Sequence, residues 1–538
     1  MPEYGSIPPG AFPVDPALGC NGTTTPPFLD QHDECPDEDQ LLIYKHDPID
    51  DPGHHGGNGI IIITCISCAT LISCFLGGLV TVATPQIAMD LDLDPGVALW
   101  PISMYALANG CTLLISGSLS DVVGSREIFL LGCFLQSIFS MACGLSQTGP
   151  QLIFFRILSG LATSLCLPSA VSLITENFLP GQLRNLAFAL MGGGQPIGFG
   201  IGLTLGGVFA DTLGWPWGFH TVAIINTVVL FLGIWQLPTK DKYAPPISWK
   251  RVAFGIDWIG ALTASPSLAL LSYVLASITD DASNISSPIN ALLLSLSALL
   301  IIVFVFWVGR QERRGRPALI KNSLWSNKAF TSISINVFLI WGAFNAFEQM
   351  LNYFFQEVQG HSALETAWRF LPTPISGSLS SIVTGLVLHR IRADWIINAT
   401  TVVSSLSPFL MALVDPKWSY WVCAFPAIFL NSIGADSLFT VSNIVIASVF
   451  PTETQGLAGG VFNTVSQIGK SVGLALVALI ANSVTENSVF EDKSSPEALL
   501  EGYRAAFWFL FALSVTSLSV SVWGLRKVGR VGRGREHG

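Results

Sequence analysis

The sequence predicts an all-α membrane protein with fourteen transmembrane helices. Of its 538 residues, 50% are hydrophobic and only 12% are charged, about half the charged fraction of a soluble globular protein. Apolar runs of roughly 20 residues, the length of helix that crosses a bilayer core, recur along most of the chain. Basic residues concentrate in alternate connecting segments, as they do in multi-pass proteins. This composition argues against a soluble enzyme.

The first region, residues 1–59, contains eleven acidic residues and one basic residue. It therefore accounts for the whole formal net charge of −10. The segment is rich in Pro, Gly and Asp and lacks the apolar core of a signal peptide, so we expect a disordered cytosolic tail. Within it, residues Asp37 to Leu42 match an acidic dileucine sorting pattern, which is short enough to occur by chance.

Fourteen apolar runs follow the tail, and each predicts one membrane-spanning helix. They lie near residues 60–85, 97–118, 128–147, 150–173, 185–210, 218–237, 258–279, 289–308, 328–356, 367–388, 395–414, 419–449, 456–481 and 503–525. The predicted regions after the tail are an N-terminal six-helix half (60–237), a linker with two inserted helices (238–327), a C-terminal six-helix half (328–525) and a basic tail (526–538).

The distribution of basic residues orients these helices. If both termini are cytosolic, 20 of the 26 Lys and Arg residues lie in cytosolic segments. Only Lys417, Lys493 and Arg504 lie in segments on the other side. Because positively charged loops stay in the cytosol, we predict that both termini are cytosolic.

An internal repeat relates the two halves. At an offset of 271 residues, six positions of the fifth apolar run are identical to positions of the thirteenth, among them Gly198/Gly469 and Gly202/Gly473. Two six-helix halves separated by two inserted helices would produce this spacing. Many transporters are built from such repeats, so the pattern favours a transporter.

Four charged residues lie inside the apolar runs: Arg156, Glu348, Asp436 and Lys470. A charge inside the membrane is costly unless it is paired or hydrated, so each is a candidate functional residue. Burial favours the neutral form of a carboxylic acid, and a nearby cation favours its charged form. We therefore expect Glu348 and Asp436 to take part in proton coupling, with Arg156 as a candidate cation. The structural alternative is an ion pair between Asp436 and Lys470 that only ties helices together.

Polar residues at helical spacing accompany these charges, so each polar stripe occupies one helix face. Polar helix faces within a membrane need to contact water or other polar faces. The stripes therefore predict a hydrated central cavity between the halves. The predicted cavity-lining residues are Asn345, Gln349, Asn352, Asn443, Asn463, Gln467 and Lys470.

The glycine-rich run from Gly192 to Gly207 lacks the setting of a nucleotide-binding loop, because no strand precedes it and no acidic residue is placed for a ribose. Gly198, Gly202 and Gly206 are instead expected to let helices pack closely. Since the sequence has no ATPase signature, we expect no cofactor and a proton gradient as the energy source.

The segment from Gly117 to Arg126 resembles the loop motif of the major facilitator superfamily, and it falls between the second and third predicted helices, where that family has it. Arg156 to Gly160 resembles the family's fourth-helix Arg motif, and Gly198 to Gly207 resembles its antiporter motif. The resemblance implies the major facilitator fold, with two six-helix halves.

The strings Asp257 to Gly260, Phe355 to Gly360 and Arg369 to Pro372, together with fourteen helices, resemble the fungal drug:proton antiporters with fourteen helices. This resemblance implies a multi-pass plasma-membrane exporter of drugs, toxins or secondary metabolites. Such an exporter exchanges its substrates for protons by alternating access.

The resemblance also implies roles for individual residues. Gly117, Asp121, Gly124 and Arg126 belong to the gating motif, in which Asp121 and Arg126 would latch the cytosolic gate. Arg156 would assist proton coupling.

Two other functions stay open. A proton-coupled transporter of nutrients, amino acids or siderophores, at the vacuolar or plasma membrane, has the same fold. A nutrient sensor binds without net transport, but the tails are short for a signalling protein. No nucleophile–base constellation marks an enzyme. The expected partners are a small-molecule substrate, protons and the lipid bilayer, with no nucleic acid, no metal and a monomeric state.

Overall fold

The computed structural model describes residues 56–94, 97–178, 182–238, 257–280, 287–316, 318, 320, 322–388, 390–449 and 452–526. Within these ranges the regular structure is entirely helical, so the predicted all-α class is confirmed. The acidic tail up to residue 55, with its dileucine string, and the basic tail beyond residue 526 lie outside the described residues. The side chains of Asp121 and Asn443 also lie outside what the structure describes.

Eight long helices occupy the described part of the chain up to residue 316. They are α1 Gly56–Asp90, α2 Trp100–Val123, α3 Ser125–Gly144, α4 Gly149–Asn177, α5 Gln182–Asp211, α6 Pro216–Gln236, α7 Trp258–Asp280 and α8 Pro288–Arg313. Four of them begin with Pro at the first or second position, where the missing N–H would have no helical partner in any case.

Six long helices and two short ones occupy the described part from residue 322. They are α9 Ser323–Ser326, α10 Lys328–Tyr353, α11 Ala363–Arg369, α12 Pro372–Val387, α13 Ala393–Ala412, α14 Ala424–Val449, α15 Thr452–Glu486 and α16 Pro496–Gly524. Helix α10 continues as a π-helical turn, Phe354–Val358.

Twelve of the described helices are long and apolar enough to cross a membrane. The predicted count of fourteen is therefore not confirmed, and the two predicted spans outside this set are α5 and α7. Helix α5 is 30 residues long, but its glycines and Gln195 lower its mean hydropathy. In α7 only Trp258–Leu271 forms an apolar segment, which is shorter than a full span.

The helices recur in the same order at the predicted offset of 271 residues. In this way α1 to α5 correspond to α10, α12, α13, α14 and α15. We call α1 to α6 the first half and α10 to α16 the second half. The hairpin of α7 and α8 lies between them in the sequence.

Glycines bring equivalent helix pairs together in both halves. A Cβ added to Gly198 of α5 would lie 2.5 Å from the carbonyl oxygen of Leu71 in α1. Gly202 and Gly206, one and two turns further on, meet the α1 backbone in the same way. A Cβ added to Gly473 of α15 would lie 2.6 Å from the backbone of α10. The repeated glycines thus produce the same close packing in each half.

Polar contacts fix the inserted hairpin. The Asp257 carboxylate caps α7 by accepting a hydrogen bond from the Gly260 N–H (2.9 Å), and it accepts another from the Trp307 indole of α8 (2.8 Å). Helix α7 packs against both α2 and α15, and Ser265 donates to the Cys111 carbonyl of α2 (2.7 Å). The hairpin therefore covers the seam where α2 of the first half meets α15 of the second.

Gly198→Ala should lower the stability of the protein. The added Cβ cannot remain 2.5 Å from the α1 backbone, so the helices must separate, at a cost of about 1–3 kcal/mol. Gly192→Ala in the same helix is the matched control, because a Cβ there meets no described atom within 4 Å. Thermal unfolding of the purified variants in detergent is the measurement. Equal unfolding temperatures for the two variants would refute this packing account.

Candidate functional site

Glu348 of α10 is a fully enclosed carboxylate, with 1% of its surface exposed. Its Oε1 accepts hydrogen bonds from Asn431 of α14 (2.9 Å) and Thr373 of α12 (3.3 Å). Among the described residues, its Oε2 has no hydrogen-bond partner and no cation forms an ion pair with it. A buried charge without a counter-ion is strongly destabilising, so the site suits a group that gains and loses a proton.

Asp436 of α14 is the second carboxylate of this region, and its charge interacts with that of Glu348. It is half-buried and packs against Gly377 of α12. Neither of the ion pairs found in the described ranges joins it to Lys470 of α15. The Cys74 thiol of α1 lies within electrostatic range of both charges. The helix-tying ion pair is thus not formed in this part of the structure.

The residues predicted to line a cavity lie at two depths. Gln349 and Asn352 are fully buried in α10. Four others are half-buried, and these are Asn345, Asn463, Gln467 and Lys470. Gln467 packs on Gly110 of α2, across the boundary between the halves. These four side chains are therefore the partly exposed members of the predicted set.

Arg156 of α4 lies inside the first half, and the structure does not bring it to Glu348. Its guanidinium is 1% exposed, donates from Nε to the Pro101 carbonyl (2.9 Å) and lies 4.2 Å from the centre of the Tyr105 ring. Its Nη1 has no hydrogen-bond partner among the described residues. The guanidinium of Arg156 therefore makes a cation–π contact in place of an ion pair with a carboxylate.

The halves are joined at the end of the bundle where α1 and α5 finish, which we call the distal end. Pro85 interrupts α1, and because Pro lacks an N–H, the Thr81 carbonyl four residues earlier has no partner in its own helix. Asn352 of α10 donates to that carbonyl (2.7 Å). Gln356 donates to the neighbouring Val82 carbonyl (2.9 Å). We call this set of contacts the distal joint.

A further contact closes the same end. The Leu364 N–H of α11 donates to the Asp211 carboxylate of α5 (2.9 Å), and Gly207 of α5 packs against α11. Toward the opposite, proximal end, a Cβ added to Gly193 of α5 or Gly385 of α12 would meet no described atom within 4 Å. The contacts of α5 with α11 therefore lie near the distal end.

The loop motif forms the proximal turn between α2 and α3. Gly124 has a φ of 128°, in the region that favours glycine. Arg126 donates to the carbonyl oxygens of Ile234 and Leu237 at the end of α6, both at 3.0 Å, where a cation offsets the helix dipole. Gly117 packs against α4. The contacts of Arg126 and Gly117 lie within the first half.

The strings Phe355 to Gly360 and Arg369 to Pro372 meet in an aromatic cluster at the distal surface. The Arg369 guanidinium lies 5.9 Å from the centre of the Phe355 ring and 6.0 Å from that of Tyr420. The Tyr420 hydroxyl donates to the Arg369 carbonyl (2.8 Å). Burial raises the pKa of Tyr420 to about 12, so this donor persists at neutral pH. These strings therefore have a structural role.

Three residues of the site are not predicted from the sequence: Asn431, Thr373 and Thr81. Each is neutral, and none of them is among the charged or polar residues that the sequence analysis selects. Pro85 is the one available signal for the distal joint, since a proline inside a helix frees a carbonyl group.

Comparisons with known proteins agree with this architecture. Residues 66–474 match the sequence model of the Major Facilitator Superfamily. The chain is 38% identical to MFS-type transporter 1 of Pyricularia oryzae, over 89% of this chain and 86% of that protein. It is 25% identical to a low affinity ammonium transporter of Saccharomyces cerevisiae, over 80% and 81% of the two chains. It is 24% identical to efflux pump terJ of Aspergillus terreus, over 90% and 92%.

A solved structure has the same fold. It is a bacterial homologue of the human lysosomal transporter Spinster, in an inward-facing and unoccupied conformation. The TM-score is 0.61 at 14% sequence identity, and the match covers 89% of this chain and 100% of that one. At this identity the likeness concerns the fold alone.

Asn352→Ala should destabilise the protein by about 1–3 kcal/mol, because it leaves the buried Thr81 carbonyl unpaired. In a Pro85→Ala background the cost should shrink, since the N–H restored at position 85 pairs with that carbonyl. A double-mutant cycle of thermal unfolding measures this coupling. Strictly additive effects would show that Asn352 does not act through the carbonyl freed by Pro85.

Proposed function

This chain belongs to the Major Facilitator Superfamily, and we propose that it exports small amphiphilic molecules in exchange for protons by alternating access. Membership makes it a multi-pass membrane transporter. The proposed energy source is the proton gradient, with no cofactor, and the proposed working unit is a monomer in the plasma membrane. The relative named as an efflux pump supports the direction of transport.

The environment of Glu348 is the observation that supports proton coupling most strongly. The carboxylate is held by two neutral donors, Asn431 and Thr373, and has no cation beside it in the described structure. An ionisable residue within a membrane helix is by default a candidate for a proton or substrate pathway. Asp436 supplies a second carboxylate, which is half-buried.

The geometry supports a direct link between Glu348 and alternating access. Asn352 lies four residues after Glu348, so the two side chains are on the same face of α10, one turn apart. A change in the charge of Glu348 therefore acts on the helix that carries the distal joint. In this proposal the substrate contacts the half-buried Asp436 and Lys470, and its binding changes the electrostatic surroundings of Glu348.

We propose that α5 and α7 also cross the bilayer, which gives fourteen spans with both termini in the cytosol. Helix α5 follows α1 through close contacts at Gly198, Gly202 and Gly206, and α1 is itself a candidate span. Helix α7 pairs with α8, another candidate span. The concentration of basic residues supports this orientation. The proximal end then faces the cytosol and the distal joint faces outward.

A proton-coupled nutrient transporter is the second candidate, favoured by the relative named as a low affinity ammonium transporter. The dileucine string would place such a protein at the vacuole. Imaging the tagged protein before and after Leu41→Ala and Leu42→Ala separates the two locations. A move from the vacuole to the cell surface would favour this candidate, whereas a surface location in both cases favours the exporter.

Glu348→Gln and Asp436→Asn should each abolish gradient-dependent export while the protein remains in the membrane. The amides preserve size but cannot carry a proton, and losing a proton-transfer group slows a reaction by about 100-fold or more. The measurement is the accumulation of amphiphilic dyes in overexpressing cells, before and after the proton gradient is collapsed. Glu501→Gln, at an exposed carboxylate of α16, is the matched control. Wild-type export by both amide variants would remove these carboxylates from the mechanism.

A further inference from the structure

A line of polar groups inside the second half runs inward from the distal surface to Gln349, the residue that follows Glu348 in α10. It begins at Glu357, whose exposed side chain stands on the π-helical turn that ends α10. The Glu357 carboxylate accepts a hydrogen bond from the Tyr503 hydroxyl of α16. Turns of this kind inside α-helices are frequent at functional sites.

Two buried tyrosines continue the line inward. Tyr353 lies four residues before Glu357, and its ring stacks on that of Tyr503, with 6.2 Å between ring centres and 17° between ring planes. Tyr353 is 8% exposed and Tyr503 is 6% exposed. The Tyr353 hydroxyl has no hydrogen-bond partner among the described residues. A buried hydroxyl without a hydrogen-bond partner destabilises the folded protein unless water or another mobile group pairs with it.

Gln349 lies one turn further inward on the same helix. Its amide oxygen and nitrogen are buried without a hydrogen-bond partner among the described residues. Glu348, the next residue, has an unpartnered Oε2. Buried polar atoms in proteins are usually paired, either with the protein or with ordered water. Each of these atoms is therefore a position that suits a bound water molecule.

The line runs beside the distal joint and not through it. Asn352 and Gln356 turn toward α1, where they use their amides on α1 carbonyls and on each other, with 2.7 Å from Gln356 Nε2 to Asn352 Oδ1. Tyr353 and Glu357 turn instead toward Tyr503 of α16. A proton that moves from Glu357 past Tyr353 to Gln349 therefore does not cross the contacts of the distal joint.

We propose that Glu357 is the entry site through which protons from the distal side reach Glu348, along water held between Tyr353 and Gln349. This inference rests on the proposed proton coupling at Glu348. Each group along the line accepts one proton and releases another, so no charge is left behind and no other reactant is consumed. The entry site works while the distal joint is closed.

The titratable groups around the two ends are few in the described ranges. Tyr353 and Tyr503 face Glu357, from α10 and α16. Arg504, the residue after Tyr503, directs its guanidinium to the Val414 carbonyl (2.6 Å). At the inner end, Asp436 is the charged group that acts on Glu348.

The test follows the protonation of Glu348 itself, by time-resolved infrared spectroscopy of the full-length protein in vesicles with its distal side outward, after a rapid pH jump in the external solution. The carboxylic acid band of Glu348 is the band that Glu348→Gln removes. In Glu357→Gln and in Tyr353→Phe this band should reach its wild-type amplitude about 10-fold more slowly, because a relay group is missing. Glu491→Gln, at another exposed carboxylate, should keep the wild-type rate.

The possible results distinguish a failure of the proposed entry site from a failure of proton coupling at Glu348. Wild-type rates in both Glu357→Gln and Tyr353→Phe would overturn the entry site and leave Glu348 as a proton carrier. The absence of any band that Glu348→Gln removes would contradict proton coupling at Glu348, and the entry site with it. Tyr353→Phe preserves the stacked ring, and a slower rate at unchanged unfolding temperature supports a relay role over a structural one.

Discussion

Polar groups inside an apolar helix bundle must find their partners within the protein, because the bilayer core offers no water. This constraint determines how the structure is assembled. The carbonyl that Pro85 frees in α1 is paired by Asn352 from the other half, and this pairing locates the distal joint. The Asp257 carboxylate is paired by Trp307, and this fixes the inserted hairpin. Glu348 Oε2 is among the buried polar atoms of the described structure that have no such partner.

The repeat explains where the halves meet. Thr81 and Asn352 are separated by 271 residues, the offset that relates the halves, so the joint connects equivalent positions. Residues at equivalent positions meet where the pseudo-symmetry axis passes between two copies of a motif. The halves differ in chemistry, since Glu348 and Asp436 lie in the second half and Arg156 lies in the first. The repeat therefore accounts for the position of the distal joint. The unequal distribution of charged residues between the halves accounts for the proposed proton coupling.

The sequence predicts the features that depend on one helix at a time. Apolar length locates the helices, and the repeated glycines Gly198 and Gly469 identify helices that pack closely. Contacts between helices are harder to predict, because a neutral residue such as Asn431 has no charge that marks it as the partner of a carboxylate on another helix. Arg156 illustrates the limit: its sequence position marks a buried cation, but only the fold places it beside Tyr105 and away from Glu348. In helix α5 the glycines have two effects. They lower its mean hydropathy, and they also form the surface that packs against α1.

The central claim is that a proton gradient drives the movement of an amphiphilic molecule. The most direct measurement imposes a proton gradient of either direction on vesicles containing the purified protein and follows ethidium by fluorescence, with protein-free vesicles as the baseline. The account predicts that ethidium moves opposite to the protons and reverses its direction when the gradient is reversed. Protein-dependent movement of ethidium that ignores the direction of the gradient would contradict it.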